Sequence, residues 1–135
     1  MIDIIASLLH IRIQGEPIAK ARHRARRQGT GIKCYNPQAQ QDNWVAYLLA
    51  HELAGRPPVE DQPLEVRLLF GVAKPKSHRK YPAVKPDLDN LIKSILDCAN
   101  GILWSDDKLI CRILAEKIYV DEPFTDIKIY KMSDN

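Results

Sequence analysis

The stretch KPDLDNLIKSILD, residues 85–97, has the pattern that decides the fold around the candidate functional residues of this chain. On a helical wheel turning about 100° per residue, its apolar residues fall in one arc and its polar residues lie opposite. The apolar arc consists of Leu91, Ile92, Ile95, Leu96 and Ala99. The pattern predicts an amphipathic helix over residues 89–100, ended by Asn100-Gly101.

Asp87 and Asp89 stand at the start of this helix. Residues two apart share a face only where the chain is extended, and Pro86 favours an extended conformation just before it. We therefore expect an extended approach through Asp89, with the helix starting at or just after that residue. Both carboxylates then point the same way, and Lys93 lies one turn further along, over Asp89.

Two carboxylates held close together repel each other, and a hard divalent cation such as Mg²⁺ relieves that repulsion. Asp87 and Asp89 are therefore candidate metal ligands. The alternative is structural, because aspartates are common at helix starts as caps and as partners of the helix dipole. For Lys93 the structural alternative is a surface ion pair with Asp89.

A second acidic pair follows the helix, at Asp106 and Asp107, in a turn that leads into a strand. If that strand packs beside the helix, a carboxylate of this pair lies within reach of the first two. Adjacent residues of an extended chain face opposite ways, so only one of the two should enter the site. The spacing does not say which, and a solvated turn is the alternative.

The rest of the chain alternates between strand and helix patterns. Strands are predicted at 8–14, 32–35, 64–72, 109–120 and 125–132, and a first helix at 37–54, between Asn36-Pro37 and the breakers Gly55 and Pro57-Pro58. Residues 20–31 and 74–86 are predicted to be mobile basic loops. The expected fold is one α/β domain of 135 residues, a mixed β-sheet packed by two main helices.

Basic residues are concentrated in two segments, although the net charge is only +3. Residues 17–41 and 66–86 contain no acidic residue, and each carries six bases. The bases are Lys20, Arg22, Arg24, Arg26, Arg27, Lys33, Arg67, Lys74, Lys76, Arg79, Lys80 and Lys85. Such segregation favours a polyanionic partner, although solvated loops also carry lysine and arginine.

The sequence contains no run of eighteen apolar residues and no signal peptide pattern. Its three cysteines, Cys34, Cys98 and Cys111, fit neither a disulfide framework nor a zinc site. These features predict a protein of the reducing cytoplasm.

Taken together, two motifs of this chain resemble the RusA family of Holliday junction resolvases. The first is KPDLDNLxK at residues 85–93, followed by Asp97, Asn100-Gly101 and the WxDD of residues 104–107. The second, GxPIxKARxR at residues 15–24, is similar to the basic N-terminal motif of the phage-associated branch. The resemblance covers most of the chain, from about Gly15 to the last strand.

The resemblance implies a homodimeric endodeoxyribonuclease that depends on Mg²⁺, for which Mn²⁺ is expected to substitute. It would cut four-way junctions by paired nicks in DNA recombination and repair. Asp87, Asp89 and Asp107 would bind the metal, and Lys93 would be required for cleavage. Asp106 would be a neighbour of the site and not a ligand, and Asn90 would support the ligands from behind.

Ten cations are expected to bind the phosphates of the DNA backbone, which gives affinity without base readout. They are Lys20, Arg22, Arg24, Arg26, Arg27, Lys74, Lys76, Arg79, Lys80 and Lys85. Two alternatives remain open at this point. The protein could bind DNA without cutting it, its acids serving only as caps, or it could cut other branched DNA such as flaps and forks.

Overall fold

A computed structural model of the chain describes residues 7–19, 24–28, 31–35, 55–77 and 79–133, with the backbone alone at 24–28 and 31–35. The helix predicted at 37–54 lies outside the described residues, and so do Lys20 and Arg22.

Six strands and one α-helix make up the described part of the chain. In chain order they are β1 (Leu9–Gln14), β2 (Arg24–Gln28), β3 (Gly31–Tyr35), β4 (Leu64–Ala73), α1 (Leu88–Ala99), β5 (Ile110–Val120) and β6 (Phe124–Lys131). Four strands form one sheet in the order β1-β6-β4-β5, and β2 and β3 form a separate hairpin. Only β4 and β5 are parallel, so the sheet is mixed, as predicted.

One face of the sheet and the apolar side of α1 form the hydrophobic core. Alternate residues of β4 are buried, among them Val66 and Phe70, and Ile127 and Ile129 of β6 are fully buried beside them. Leu91 of α1 joins the same cluster. The buried residues of β4 and the apolar side of α1 therefore belong to one hydrophobic core, and this packing holds the helix on that face of the sheet.

The turn after α1 is held by a buried tryptophan and by backbone hydrogen bonds. Trp104 is completely buried, and the residues on either side of it bond to Val59, Leu103 accepting from the Val59 amide and Ser105 donating to its carbonyl. A short 3₁₀ helix, Asp107–Leu109, then leads into β5. The acidic pair thus sits on a turn whose position is fixed by the core.

The observed elements agree with the predicted strands and helix to within one residue at most ends, but two predictions were wrong in detail. Residues 24–28 form β2 and are not part of a loop, because they pair in register with β3 from Arg24↔Tyr35 to Gln28↔Gly31. Backbone pairing of this kind needs no apolar alternation, and the glycines at 29 and 31 were the available hairpin signal. The helix begins at Leu88, so Asp89 lies inside its first turn and not on an extended approach.

In the described part of the chain, no helix has the length and apolar character needed to cross a membrane.

Leu91 offers a test of the packing between α1 and the sheet. Because its side chain is fully buried, Leu91→Ala is expected to lower the free energy of unfolding by about 2–5 kcal/mol. Leu114→Ala is the matched control, since Leu114 is 50% exposed on β5 and should change it by less than about 0.5 kcal/mol. Urea denaturation followed by circular dichroism measures both, and equal losses would contradict this packing.

Candidate functional site

The N-terminal end of α1 presents Asp87 with a carboxylate that does not cap the helix. Asp87 occupies the N-cap position with an extended backbone, φ −69° and ψ 139°, and its side chain makes no capping hydrogen bond. Its backbone carbonyl accepts from the Leu91 amide at 3.1 Å, which closes the first turn. Of the structural alternatives for this residue, the capping hydrogen bond is therefore not made, whereas an interaction of its charge with the helix dipole needs no such bond.

Asp89, Asn90 and Lys93 lie on the first turns of the same helix. Asp89 is exposed, and its Oδ1 accepts from the Asn90 amide at 2.9 Å. Lys93 is also exposed and stands one turn further on, where helix geometry makes it a neighbour of Asp89. Among the described residues no ion pair joins the two, so the ammonium of Lys93 is left available on this turn.

The segment just before Asp87 is held by Lys117 of β5, a residue that the sequence analysis missed. Its Nζ donates to the carbonyl of Val84 at 2.5 Å and to that of Pro86 at 2.7 Å. Hydrogen bonds from a charged donor contribute about 1.5–3 kcal/mol each. A lysine among strand residues gave no sequence signal, because its partners lie more than thirty positions away.

At the C-terminal end of α1, the two acids after the helix have different surroundings. Asp106 caps the 3₁₀ helix, its Oδ1 accepting from the Lys108 amide at 3.0 Å. That hydrogen bond holds the pKa of Asp106 below its usual value, against the opposing effect of desolvation. Asp107 is exposed. Its backbone amide donates to Oδ1 of Asn100 at 2.9 Å, and its carboxyl group also lies beside that of Asp106. Asp107 is therefore the better candidate of the two for an external ligand.

The length of α1 keeps these two groups apart within one chain. Its twelve residues span about 18 Å, with Asp87 at the N-cap position of one end and Asp107 bonded to the C-cap Asn100 at the other. Two oxygens bound to one Mg²⁺ lie at most about 4 Å apart. In the described residues, no three His, Cys, Asp or Glu side chains are grouped so that they could hold a metal ion. The structure thus brings Asp87, Asp89 and Lys93 to one end of the helix and leaves Asp107 at the other.

The loop between β4 and α1 carries the second group of predicted DNA-binding cations. Lys74 is paired with Asp121 at 2.5 Å, and Nζ of Lys80 lies 5.2 Å from the ring centre of Tyr81. The loop cations Lys74, Lys76, Arg79, Lys80 and Lys85 are all exposed. For Arg24, Arg26 and Arg27, only the backbone of β2 is described. The loop leads directly into Asp87, which places its positive charge beside the acidic end of the helix.

The face of the sheet away from α1 carries two buried acids that the sequence analysis also missed. Asp126 bonds to His10 at 2.7 Å and to Arg12 at 3.1 Å. Glu65 accepts from Arg67 at 2.8 Å and from Arg112 at 3.1 Å. The alternation of charged and apolar residues along these strands was the available signal. Both of these buried acids have basic partners, so their ion pairs stabilise the sheet and are not a candidate catalytic centre.

The start of α1 thus combines two carboxylates, of which that of Asp87 makes no capping hydrogen bond, with a cationic loop just before it. Comparison with known proteins gives the class: the profile of the endodeoxyribonuclease RusA family matches residues 14–130 of this chain. The chain therefore belongs to the RusA family. It is also similar to the uncharacterized protein YqaN of Bacillus subtilis (strain 168), with 25% identity over 138 residues that cover 90% of this chain and 94% of the relative.

Membership of the family settles the type of reaction. RusA proteins are Holliday junction resolvases, endodeoxyribonucleases that hydrolyse phosphodiester bonds in branched DNA, and they are metal-dependent nucleases. This protein is therefore an enzyme of that class, and the non-catalytic alternative is set aside.

The ion pairs of Glu65 predict a pH dependence of stability. Burial alone would raise the pKa of Glu65, but hydrogen bonds from Arg112 and Arg67 outweigh it and lower the pKa below the ordinary value of 4.5. A lowered pKa in the folded state stabilises the fold above the unfolded-state pKa, and this stability is lost as the pH falls through the folded-state pKa.

Glu65→Gln is therefore expected to lower the free energy of unfolding by about 1–3 kcal/mol near pH 7. The difference from wild type should shrink as the pH falls through the lowered pKa of Glu65, because wild-type Glu65 then becomes protonated as well. Urea denaturation at several pH values measures it. The control is Glu116→Gln, an exposed carboxylate of β5, and a difference for Glu65→Gln that grows toward low pH would refute the assignment.

Proposed function

We propose that this resolvase cuts four-way DNA junctions by paired, Mg²⁺-dependent nicks during recombination and repair, and that it works as a homodimer. The observation that carries the proposal is the carboxylate of Asp87, which makes no capping hydrogen bond at a position where capping is expected. It stands two residues before Asp89, which is in the first turn of the helix, and directly after a cationic loop. Together these features supply an oxygen-rich cation site beside a surface for phosphates.

The donor set fits Mg²⁺, because carboxylate oxygens are the ligands that this ion prefers. Asp87 and Asp89 would hold the ion from one chain, and Mn²⁺ would bind in the same place. Asp107 of the same chain is about one helix length away. We therefore propose that the third carboxylate comes from Asp107 of a second copy, so that each site is complete only in the dimer.

A two-fold dimer built in this way has two equivalent sites. A four-way junction has approximate two-fold symmetry as well, so the two sites can face symmetry-related strands. Paired nicks then follow from the symmetry of the complex. Flaps and forks lack this symmetry, and for that reason we favour the four-way junction over other branched DNA.

Each residue of the site has a proposed task. A bound Mg²⁺ supplies Lewis-acid stabilisation of the negative charge on the scissile phosphate. The exposed ammonium of Lys93, one turn from Asp89, would stabilise charge on the same phosphate, and Asn90 would support the ligands from the adjacent position. Asp106 caps the 3₁₀ helix and so fixes the turn that carries Asp107.

The cations of the loop and of the N-terminal segment would bind DNA phosphates. From the loop these are Lys74, Lys76, Arg79, Lys80 and Lys85, and from the N-terminal segment they are Lys20, Arg22, Arg24, Arg26 and Arg27. Contacts of this kind give an affinity that falls steeply with salt concentration and carry no sequence preference. The loop leads into Asp87, so a phosphate bound there lies close to the acidic site.

The cysteines support a reducing compartment, and we propose the cytoplasm. Cys98 of α1 is buried, Cys111 of β5 is exposed, and neither forms a disulfide in the described part of the chain. An exposed free thiol is typical of proteins that are kept reduced.

The metal role of Asp87 is tested by Asp87→Asn, which keeps the size of the side chain and removes its charge. We expect junction cleavage to fall by about two orders of magnitude or more, with junction binding unchanged or tighter because a negative charge near phosphate is lost. Cleavage of a labelled four-way junction in Mg²⁺ and gel-shift binding in EDTA measure the two effects. The control, Glu116→Gln, changes an exposed carboxylate of β5 outside the proposed site and should cut at the wild-type rate.

The shared site is tested by mixing two inactive variants, Asp87→Asn and Asp107→Asn, under conditions where subunits exchange. In a mixed dimer one site carries both substitutions and the other carries none, provided that Asp107 acts across the interface. Random pairing should then restore about a quarter of the wild-type nicking rate. If all three acids acted within one chain, each site of the mixed dimer would be defective. Absence of any restored nicking after demonstrated exchange would therefore refute the shared site.

A further inference from the structure

We propose that Lys117 is a positioning residue of the metal site: it holds the backbone that carries Asp87, so that the carboxylate is oriented before the ion arrives. This inference rests on the proposed function, because it concerns the same site. It adds a residue that lies on a different element from all the predicted ligands.

Lys117 donates hydrogen bonds to two residues of the segment just before Asp87, Val84 and Pro86. Its Nζ donates to the Val84 carbonyl at 2.5 Å and to the Pro86 carbonyl at 2.7 Å. The Pro86 carbonyl belongs to the peptide unit that also contains the nitrogen and Cα of Asp87, and such a unit is planar. A hydrogen bond that fixes this oxygen therefore fixes the plane from which the Asp87 side chain projects.

The two sides of this contact differ in rigidity. Lys117 belongs to β5 and pairs with Phe70 of β4, which is 1% exposed, so its backbone is anchored in the sheet. The segment that it holds, residues 79–86, is mostly exposed, with Pro82 as its buried residue, and the Lys80 carbonyl accepts a backbone bond from the Tyr119 amide at 3.0 Å. The ordered partner is thus the strand, and the hydrogen bonds from Lys117 transmit that order to the loop.

A residue that orients a ligand has a different signature from one that only stabilises the fold. Loss of orientation weakens ion binding, because the carboxylate must then be ordered when the ion binds. Loss of general stability lowers the melting temperature and leaves the affinity of the folded protein for the ion unchanged. A lysine that contacted DNA phosphate directly would instead weaken junction binding in the absence of metal.

The test is Lys117→Met, which keeps the length of the side chain and removes its donors. We expect the dissociation constant for Mn²⁺, measured by isothermal titration calorimetry on the whole protein without DNA, to rise at least about tenfold. Gel-shift binding of the junction in EDTA should match wild type, and the Mg²⁺ concentration for half-maximal cleavage should rise in parallel. Lys117→Arg, which keeps a charged donor with more than one N–H, should restore most of the affinity.

Lys128→Met is the matched control. Lys128 is also a half-buried strand lysine, but it alternates with the buried Ile127 and Ile129 and so points away from α1. It should bind Mn²⁺ as tightly as wild type. Wild-type Mn²⁺ affinity in folded Lys117→Met would overturn the inference, whatever the change in melting temperature.

Two further comparisons keep the test decisive. If Lys117→Met fails to fold, Lys117→Gln, with a shorter neutral donor, must bind Mn²⁺ less tightly than Lys117→Arg, and equal affinities would overturn the inference. Asp87→Asn is titrated alongside. If it retains wild-type Mn²⁺ affinity, the proposed metal site itself is wrong. If it loses affinity while Lys117→Met does not, only the role of Lys117 is wrong.

Discussion

The parallel pairing of β4 with β5 is the constraint on which the rest of the structure depends. Two parallel neighbours require a crossover, and here α1 makes it, packed on one face of the sheet by Leu91 and Ile95. The chain leaves β4 at one end of the sheet and must return to the other end before β5 can begin. The residues immediately before α1 therefore lie at one end of the helix and those immediately after it at the other.

This constraint explains both what the sequence predicted and what it did not. The amphipathic period of residues 88–99 and the alternation of β4 are local patterns, and they led to the correct elements. Strand order is not local. Without it, the acids before and after the helix could be expected to meet, whereas the crossover separates Asp87 from Asp107 by the length of α1. That Asp106 caps the 3₁₀ helix also needed coordinates, since the spacing of the two acids does not say which of them bonds to the Lys108 amide.

Polar contacts made across the sheet were the least predictable part of the molecule. Glu65 is 5% exposed in a strand, which is unusual for a carboxylate, and Arg67 and Arg112 make this burial possible from two different strands. Lys117 belongs to the same category, because its partners are backbone oxygens distant in sequence. The sequence also did not predict β2, because its composition is that of a solvated loop and its pairing with β3 is made by backbone groups. In each case the partner, and not the residue type, decides the structure.

The separation of the two acidic positions by α1 has a consequence for how the protein behaves in a cell. Under the proposed arrangement a lone subunit carries an incomplete metal site and cannot nick DNA. The nicking rate therefore depends on how often two subunits meet, and it rises more steeply than in proportion to the protein concentration. At low copy number most molecules would be harmless to the chromosome. The geometry of one helix would in this way act as a safeguard against stray cutting, without any inhibitor or dedicated regulatory domain.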